Sequence, residues 1–157
     1  MATIHCMCAY IGFGKTTVAK KLETEYKARR FTPDELMVEL YGEDVGADFM
    51  EKAEELNTYI WEEIEKCLRN GQDVIYDVGS WSKDDRKYVM QKAEKLNASV
   101  IWHQVQCDIK TAEKRTLCRA EETGELSIDK KFFDENLERY QPIEESENLE
   151  VIFHKGE

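Results

Sequence analysis

Along the chain, short continuous apolar runs alternate with longer stretches whose apolar positions return every three or four residues. The clearest of the longer kind places Phe49, Ala53, Leu56, Ile60, Ile64 and Cys67 on one face of a helix over residues 47–70, closed by Asn70-Gly71. The same period predicts helices over 15–26, 83–96, 109–122 and 129–140, with Val89, Ala93 and Leu96 inward in the second of these. Thr32-Pro33-Asp34-Glu35 predicts another helix start, running to residue 40: threonine as N-cap, proline at the first helical position and glutamate closing a capping box. The short apolar runs read as strands over 3–8, 29–31, 73–78, 99–106 and 149–153.

Strands separated by helices need crossover connections, so the pattern predicts an α/β fold with a five-stranded parallel sheet covered on both faces. Ligands of such sheets bind beyond the carboxyl ends of the strands. At 157 residues the chain is long enough for one domain with a real core, and it shows no repeat, linker or low-complexity segment. No window approaches the roughly 20 apolar residues of a membrane span and no leader pattern opens the chain, so a cytoplasmic protein is expected.

The formal net charge of -11 excludes an extended nucleic-acid groove, because phosphate backbones are repelled unless basic residues gather locally. Nucleic acid is left only a small local site. The five cysteines, Cys6, Cys8, Cys67, Cys107 and Cys118, lack metal spacing; four lie in apolar runs or on helix faces and read as buried reduced thiols. His5, His103 and His154 fall in three separate strands and are assigned no metal.

Candidate chemistry begins directly after the first strand. Ala9-Tyr10-Ile11-Gly12-Phe13-Gly14-Lys15-Thr16 has the form of a phosphate-binding loop, G-x-x-x-x-G-K-[ST], with alanine at the first glycine. Backbone N–H groups of Gly12, Phe13, Gly14, Lys15, Thr16 and Thr17 would curl around a phosphate, Lys15 adds positive charge, and the Thr16 hydroxyl suits magnesium. Ala9 and the bulky ring of Phe13 predict weaker or differently shaped nucleotide binding. Asp77 interrupts an apolar run, where a lone carboxylate is costly to desolvate. A magnesium ion at the phosphates would compensate it, and the alternative is a strand-end carboxylate facing solvent or capping the next turn. Asp34 suits the dipole of its helix and stands where it can take a proton from an acceptor hydroxyl. Arg115 and Arg119, four apart on one helix face before Gly124, are either solvated ion-pair partners or part of a lid that closes over the phosphates. Trp81 and Arg86 serve packing or line the acceptor site.

This set, the loop with Lys15-Thr16-Thr17, Asp34 after the second strand, Asp77 in Ile75-Tyr76-Asp77 and the arginines of Lys114-Arg115-Thr116-Leu117-Cys118-Arg119, resembles the small P-loop kinases. These are AAA-type ATP-binding kinase domains grouped with zeta-toxin-like kinases, chloramphenicol phosphotransferase and polynucleotide kinase. The resemblance covers nearly the whole chain and implies the three-layer P-loop nucleoside triphosphatase fold with a small helical lid. It implies ATP and Mg2+ held by Lys15 and Thr16, Asp34 as base, and Arg115 and Arg119 on the phosphates. Polynucleotide and toxin kinases carry an arginine three residues after the base, where this chain has Met37. The resemblance thus implies a small-molecule alcohol as acceptor, with a 5′-hydroxyl nucleic-acid kinase or a non-catalytic nucleotide-binding module as the alternatives.

Overall fold

All five apolar runs become strands of one parallel sheet. They are β1 (Thr3–Cys8), β2 (Arg29–Phe31), β3 (Val74–Tyr76), β4 (Ser99–Gln106) and β5 (Val151–Lys155), in the order β2-β3-β1-β4-β5. The structure is a computed structural model that describes residues 2–42, 49–123 and 130–156, the side chains of 119–123 excepted. Six helices are described: α1 (Lys15–Tyr26), α2 (Pro33–Tyr41), α3 (Phe49–Arg69), α4 (Lys83–Lys95), α5 (Ile109–Thr123) and α6 (Lys130–Leu137). The expected helix starts at 47 and 129, and the break at Gly124, lie outside the described residues.

Side-chain alternation along β1 divides the core into two layers. Ile4, Cys6 and Cys8 face Leu56, Ile60, Trp61 and Ile64 of α3 and Val89 and Ala93 of α4. Met7, on the other face, joins Val18, Ala19 and Leu22 of α1, Ala112 of α5 and Phe133 of α6. Each buried Leu, Ile, Val, Met or Phe among them contributes about 1.5–3 kcal/mol by leaving water. Cys6, Cys8 and Cys67 are buried, but Cys107 is only half-buried and Cys118 is exposed; all five thiols are free. Burial raises the Cys8 thiol to about 11 and Cys6 further, which keeps both protonated.

Several details differ from the sequence pattern, among them the end of α6, which stops at Leu137 rather than at 140. Strand β3 ends at Tyr76, because the Val78 N–H turns back to the Tyr76 carbonyl while the Asp77 N–H still reaches Phe31 of β2. Strand β5 begins two residues late, at Val151. The capping box at α2 does not form: the Thr32 hydroxyl is committed to Asp77, and Glu35 pairs with Arg30. Pro33 and the acids Asp34 and Glu35 still suit that helix end.

The β order puts β3 between β2 and β1, so the chain crosses one way from β1 and the other way from β3 to β4. The cleft this reversal opens lies beyond the carboxyl ends of β1 and β3. Below it, Arg86 of α4 is a packing residue with 1% exposure. It donates to Glu147 (2.8 and 3.0 Å) and to the carbonyls of Ser80 (2.9 Å) and Gln141 (2.8 Å), tying the loop after β3 to the segment before β5. Its guanidinium holds the Glu147 carboxyl below the usual carboxylate range. Arg86→Leu would leave that carboxylate and two carbonyls without their partner. We expect a loss of about 3 kcal/mol, read as a lower urea midpoint in equilibrium unfolding; an unchanged midpoint would show that this network contributes nothing.

Candidate active site

Strand β1 delivers the chain into the loop 9–14, and α1 starts at Lys15 with Gly14 as its left-handed N-cap (φ 93°). Gly12 has φ 77° and lies against α5: a methyl group there would sit 2.5 Å from the Ala112 carbonyl oxygen and 2.6 Å from the Thr116 hydroxyl. Only glycine meets both demands. Ala9 needs no such freedom. Its N–H donates to the Gly79 carbonyl (3.0 Å) and its carbonyl accepts from Trp81 Nε1 (3.0 Å). The Phe13 ring, expected to crowd the loop, is buried on the α1 face beside Tyr10 and Tyr140, so its backbone keeps its place.

Behind the loop runs the end of the chain. Gly156 donates its N–H to the Gln106 carbonyl, and a methyl group on it would lie 1.8 Å from the Phe13 carbonyl oxygen. No sequence motif marks this glycine; only the pairing of β5 with β4 brings it there.

Asp77 is 1% exposed and stands at the junction of three elements. Lys15 Nζ, at the start of α1, lies 2.7 Å from its Oδ1, and the Thr32 hydroxyl, at the start of α2, donates to its Oδ2 (2.8 Å). Arg30 of β2 approaches Oδ2 at 3.7 Å and donates to the Thr32 hydroxyl. The solvent-facing alternative for Asp77 is thereby excluded. Arg30 and Thr32 as partners of Asp77 escape the sequence reading, although Arg-Phe-Thr leading out of a strand was visible.

A cleft of about 510 Å³ opens above these groups. Loop residues Gly12, Gly14, Lys15, Thr16 and Thr17 form one wall, and Pro33, Asp34, Asp77, Ser80, Trp81 and Asp85 line the rest. The expected loop residues other than Phe13, together with Asp34 and Asp77, are thus gathered in one place. Thr16 and Asp34 make no hydrogen bond among the described residues, which leaves a hydroxyl and a carboxylate free for a ligand. Trp81 lines the cleft and also packs against Tyr10, so both of its readings have a counterpart in the structure. Arg115 does not line the cleft: it is half-buried in the middle of α5, with its guanidinium 3.8 Å from the Cys107 sulfur. The side chain of Arg119 lies outside the described residues.

Comparison with known proteins agrees with this geometry. The family described as AAA domain matches residues 4–143. The chain belongs to that family. No curated protein matches the sequence. Among solved structures, a candidate kinase from Chloroflexus aurantiacus is similar with a TM-score of 0.76 at 13% identity, over 98% of this chain and 85% of that one. A gluconokinase from Sinorhizobium meliloti is similar with a TM-score of 0.61 at 11% identity, over 99% and 82%. A chain of the Pnkp1/Rnl/Hen1 RNA repair complex reaches 0.75 at 19% identity, over 90% of this chain but only 48% of its own length. This AAA domain therefore has the kinase-like P-loop nucleotide-binding fold, as the sequence resemblance implied.

The Thr16 hydroxyl suits a magnesium ion in kind, and magnesium takes few protein ligands beside phosphate oxygens; both Asp77 oxygens are engaged, by Lys15 and Thr32, so Asp77 would serve the ion only once Lys15 turns to the phosphates. The loop itself is gripped from behind, which gives a test in this AAA domain independent of catalysis. Gly156→Ala must displace the Phe13 carbonyl, so magnesium-ATP affinity should fall about tenfold, or ~1.4 kcal/mol, with the circular dichroism spectrum unchanged. Wild-type affinity by calorimetry would mean that the chain end does not position the loop.

Proposed function

We propose that this AAA domain transfers the terminal phosphate of ATP to an alcohol group of a small molecule, with Mg2+ as cofactor. The observation that carries the reading is Asp34: an exposed carboxylate with no hydrogen-bond partner among the described residues, in the same cleft as Lys15 and the loop N–H groups. A nucleotide-binding module has no need of it. A kinase needs a base beside its acceptor hydroxyl.

In this reading the N–H groups of Gly12 to Thr17 and the Lys15 ammonium hold the phosphates, and Thr16 and Asp77 hold the metal, which supplies charge neutralisation when bound. Asp34 orients the acceptor hydroxyl and takes its proton as the new oxygen–phosphorus bond forms and the bond from the terminal phosphorus to the bridging oxygen breaks, ADP leaving with that oxygen and its electron pair. Arg115 and Arg119 act only if the end of α5 swings over the phosphates, since Arg115 rests on Cys107. Free cysteines throughout favour a reducing compartment, the cytosol. No described helix is long and apolar enough to cross a membrane.

A second reading, a 5′-hydroxyl nucleic-acid kinase, draws on the similarity to a chain of an RNA repair complex. Against it stand the net charge of -11 and Met37. Binding of oligonucleotides should be weak and steeply salt-dependent; a complex that survives about 200 mM salt would favour the nucleic-acid kinase.

The discriminating experiment screens hydroxyl compounds, nucleosides and short 5′-hydroxyl oligonucleotides for ATP-dependent phosphate transfer, then compares two variants on the acceptor found. Lys15→Ala should lose magnesium-ATP affinity, turnover or both while remaining folded. Asp34→Asn should lower kcat by about 10² to 10⁴ with ATP affinity hardly moved. Helix α2 should survive that change, since its start rests on Pro33 and Glu35 also. Unchanged turnover in Asp34→Asn would sink the base assignment, and tight ATP binding without transfer to any acceptor would leave the binding module.

A further inference from the structure

The three histidines that the sequence scatters over three strands meet in one row on the α1 face of the sheet. His5 Nδ1 of β1 is 3.0 Å from His103 Nε2 of β4, and His103 Nδ1 is 2.8 Å from His154 Nε2 of β5. At the inner end His5 Nε2 lies 3.1 Å from Oδ2 of Asp73, whose other oxygen accepts the Thr3 N–H. His5 and His103 are 1% and 0% exposed. Tyr26 of α1 covers His5 with ring centroids 4.3 Å apart, and Lys21 and Glu25 of α1 flank His154. The neighbours in register, Ile75, Ile101, Met7, Ile152 and Val105, carry no charge.

Proton bookkeeping along this row has one solution. An ionised carboxylate only accepts, so His5 Nε2 must carry a hydrogen and, in the neutral ring, Nδ1 must accept. His103 therefore donates from Nε2 to His5, and His154 donates from Nε2 to His103. The lone pair of His154 Nδ1 is left at the open end. A proton arriving there lets each link pass its hydrogen inward: from His154 Nε2 to His103 Nδ1, and from His103 Nε2 to His5 Nδ1. Every link still holds one hydrogen, and the positive charge now rests on His5 beside the Asp73 carboxylate. A second proton has no such place, because one link would then hold two N–H groups facing each other.

We propose that Asp73, His5, His103 and His154 form a one-proton site that responds to acidity, taking up a single proton as a unit and yielding only when a second is forced in. The row clasps β1, β4 and β5 together, and β1 leads straight into the phosphate loop. Forcing in the second proton parts strands that hold the loop. The sign of the pH dependence follows from His103 and His154. Burial first, then the charges of His5 and His154, hold His103 down to about 3, and burial, then Lys21, lowers His154. Both lie below the ordinary histidine value of 6.5, so their contribution to stability is complete above that pH and fades as pH falls from it toward about 3.

Ring 15N spectra of the labelled whole chain, followed from about pH 8 toward about pH 3 for as long as the chain stays folded, test this without any ligand. All three rings should begin as Nε2–H tautomers, and all three Nδ1 signals should change together in one shared transition while the protein stays folded by circular dichroism. An Nδ1–H ring at the start, or three separate transitions, overturns the proposal. Severing the row with His103→Phe should split the shared transition into two independent ones and raise uptake by the folded protein from one proton toward two. Should that variant fail to fold, His154→Phe on the edge strand shortens the row and must leave His5 and His103 titrating together; separate titration there refutes the unit.

Discussion

A carboxylate with almost no exposure is tolerated only if its charge is met, and in this AAA domain the meeting of that charge organises the cleft. Asp77 receives Lys15 from the start of α1, Thr32 from the start of α2 and the approach of Arg30 from β2. Each partner arrives on a different element, so satisfying one buried charge sets the phosphate loop and the helix bearing Asp34 at a defined separation. Removing any partner would leave the charge under-compensated, which is more costly than the bond itself is favourable. The geometry of the cleft is in this sense a by-product of an electrostatic requirement at its floor.

Close backbone approach is the second constraint. The loop is held on one side by α5 through Gly12, from behind by Gly156, and along its entry by hydrogen bonds from Ala9 to Gly79 and Trp81. Packing of this kind explains why a bulky ring is accepted at 13: Phe13 is buried beside Tyr10 and Tyr140 and does not line the cleft. It also explains why glycine at 12 is not interchangeable, since α5 occupies the space a side chain would need.

Much of the site was legible along the chain because it is local. The loop, Lys15 and Thr16 are contiguous, and Asp34 follows a strand and opens a helix, so spacing alone carried them. What local reasoning misjudged were side chains with two possible partners. Thr32 was expected to cap its own helix, a bond it can make without leaving its segment; the unpaired charge of Asp77 offers more, and the hydroxyl goes there. Arg86 had the same ambiguity and is held by Glu147, far along the chain.

The sequence by itself determined the elements and the loop chemistry, because periodicity, caps and glycine positions act within a few residues and survive without knowledge of neighbours. It determined the parallel sheet as well, since short apolar strands joined by helices leave no other economical arrangement. Only the tertiary structure decided the strand order, and with it everything that depends on contact between strands distant in sequence. The row His5, His103 and His154 spans residues 98 and 51 apart in the chain, and Gly156 reaches Phe13 only because β5 pairs with β4. No local pattern announces such neighbours: hydrogen bonds and backbone approach depend on distances of a few ångströms in space, which a linear order of residues does not contain.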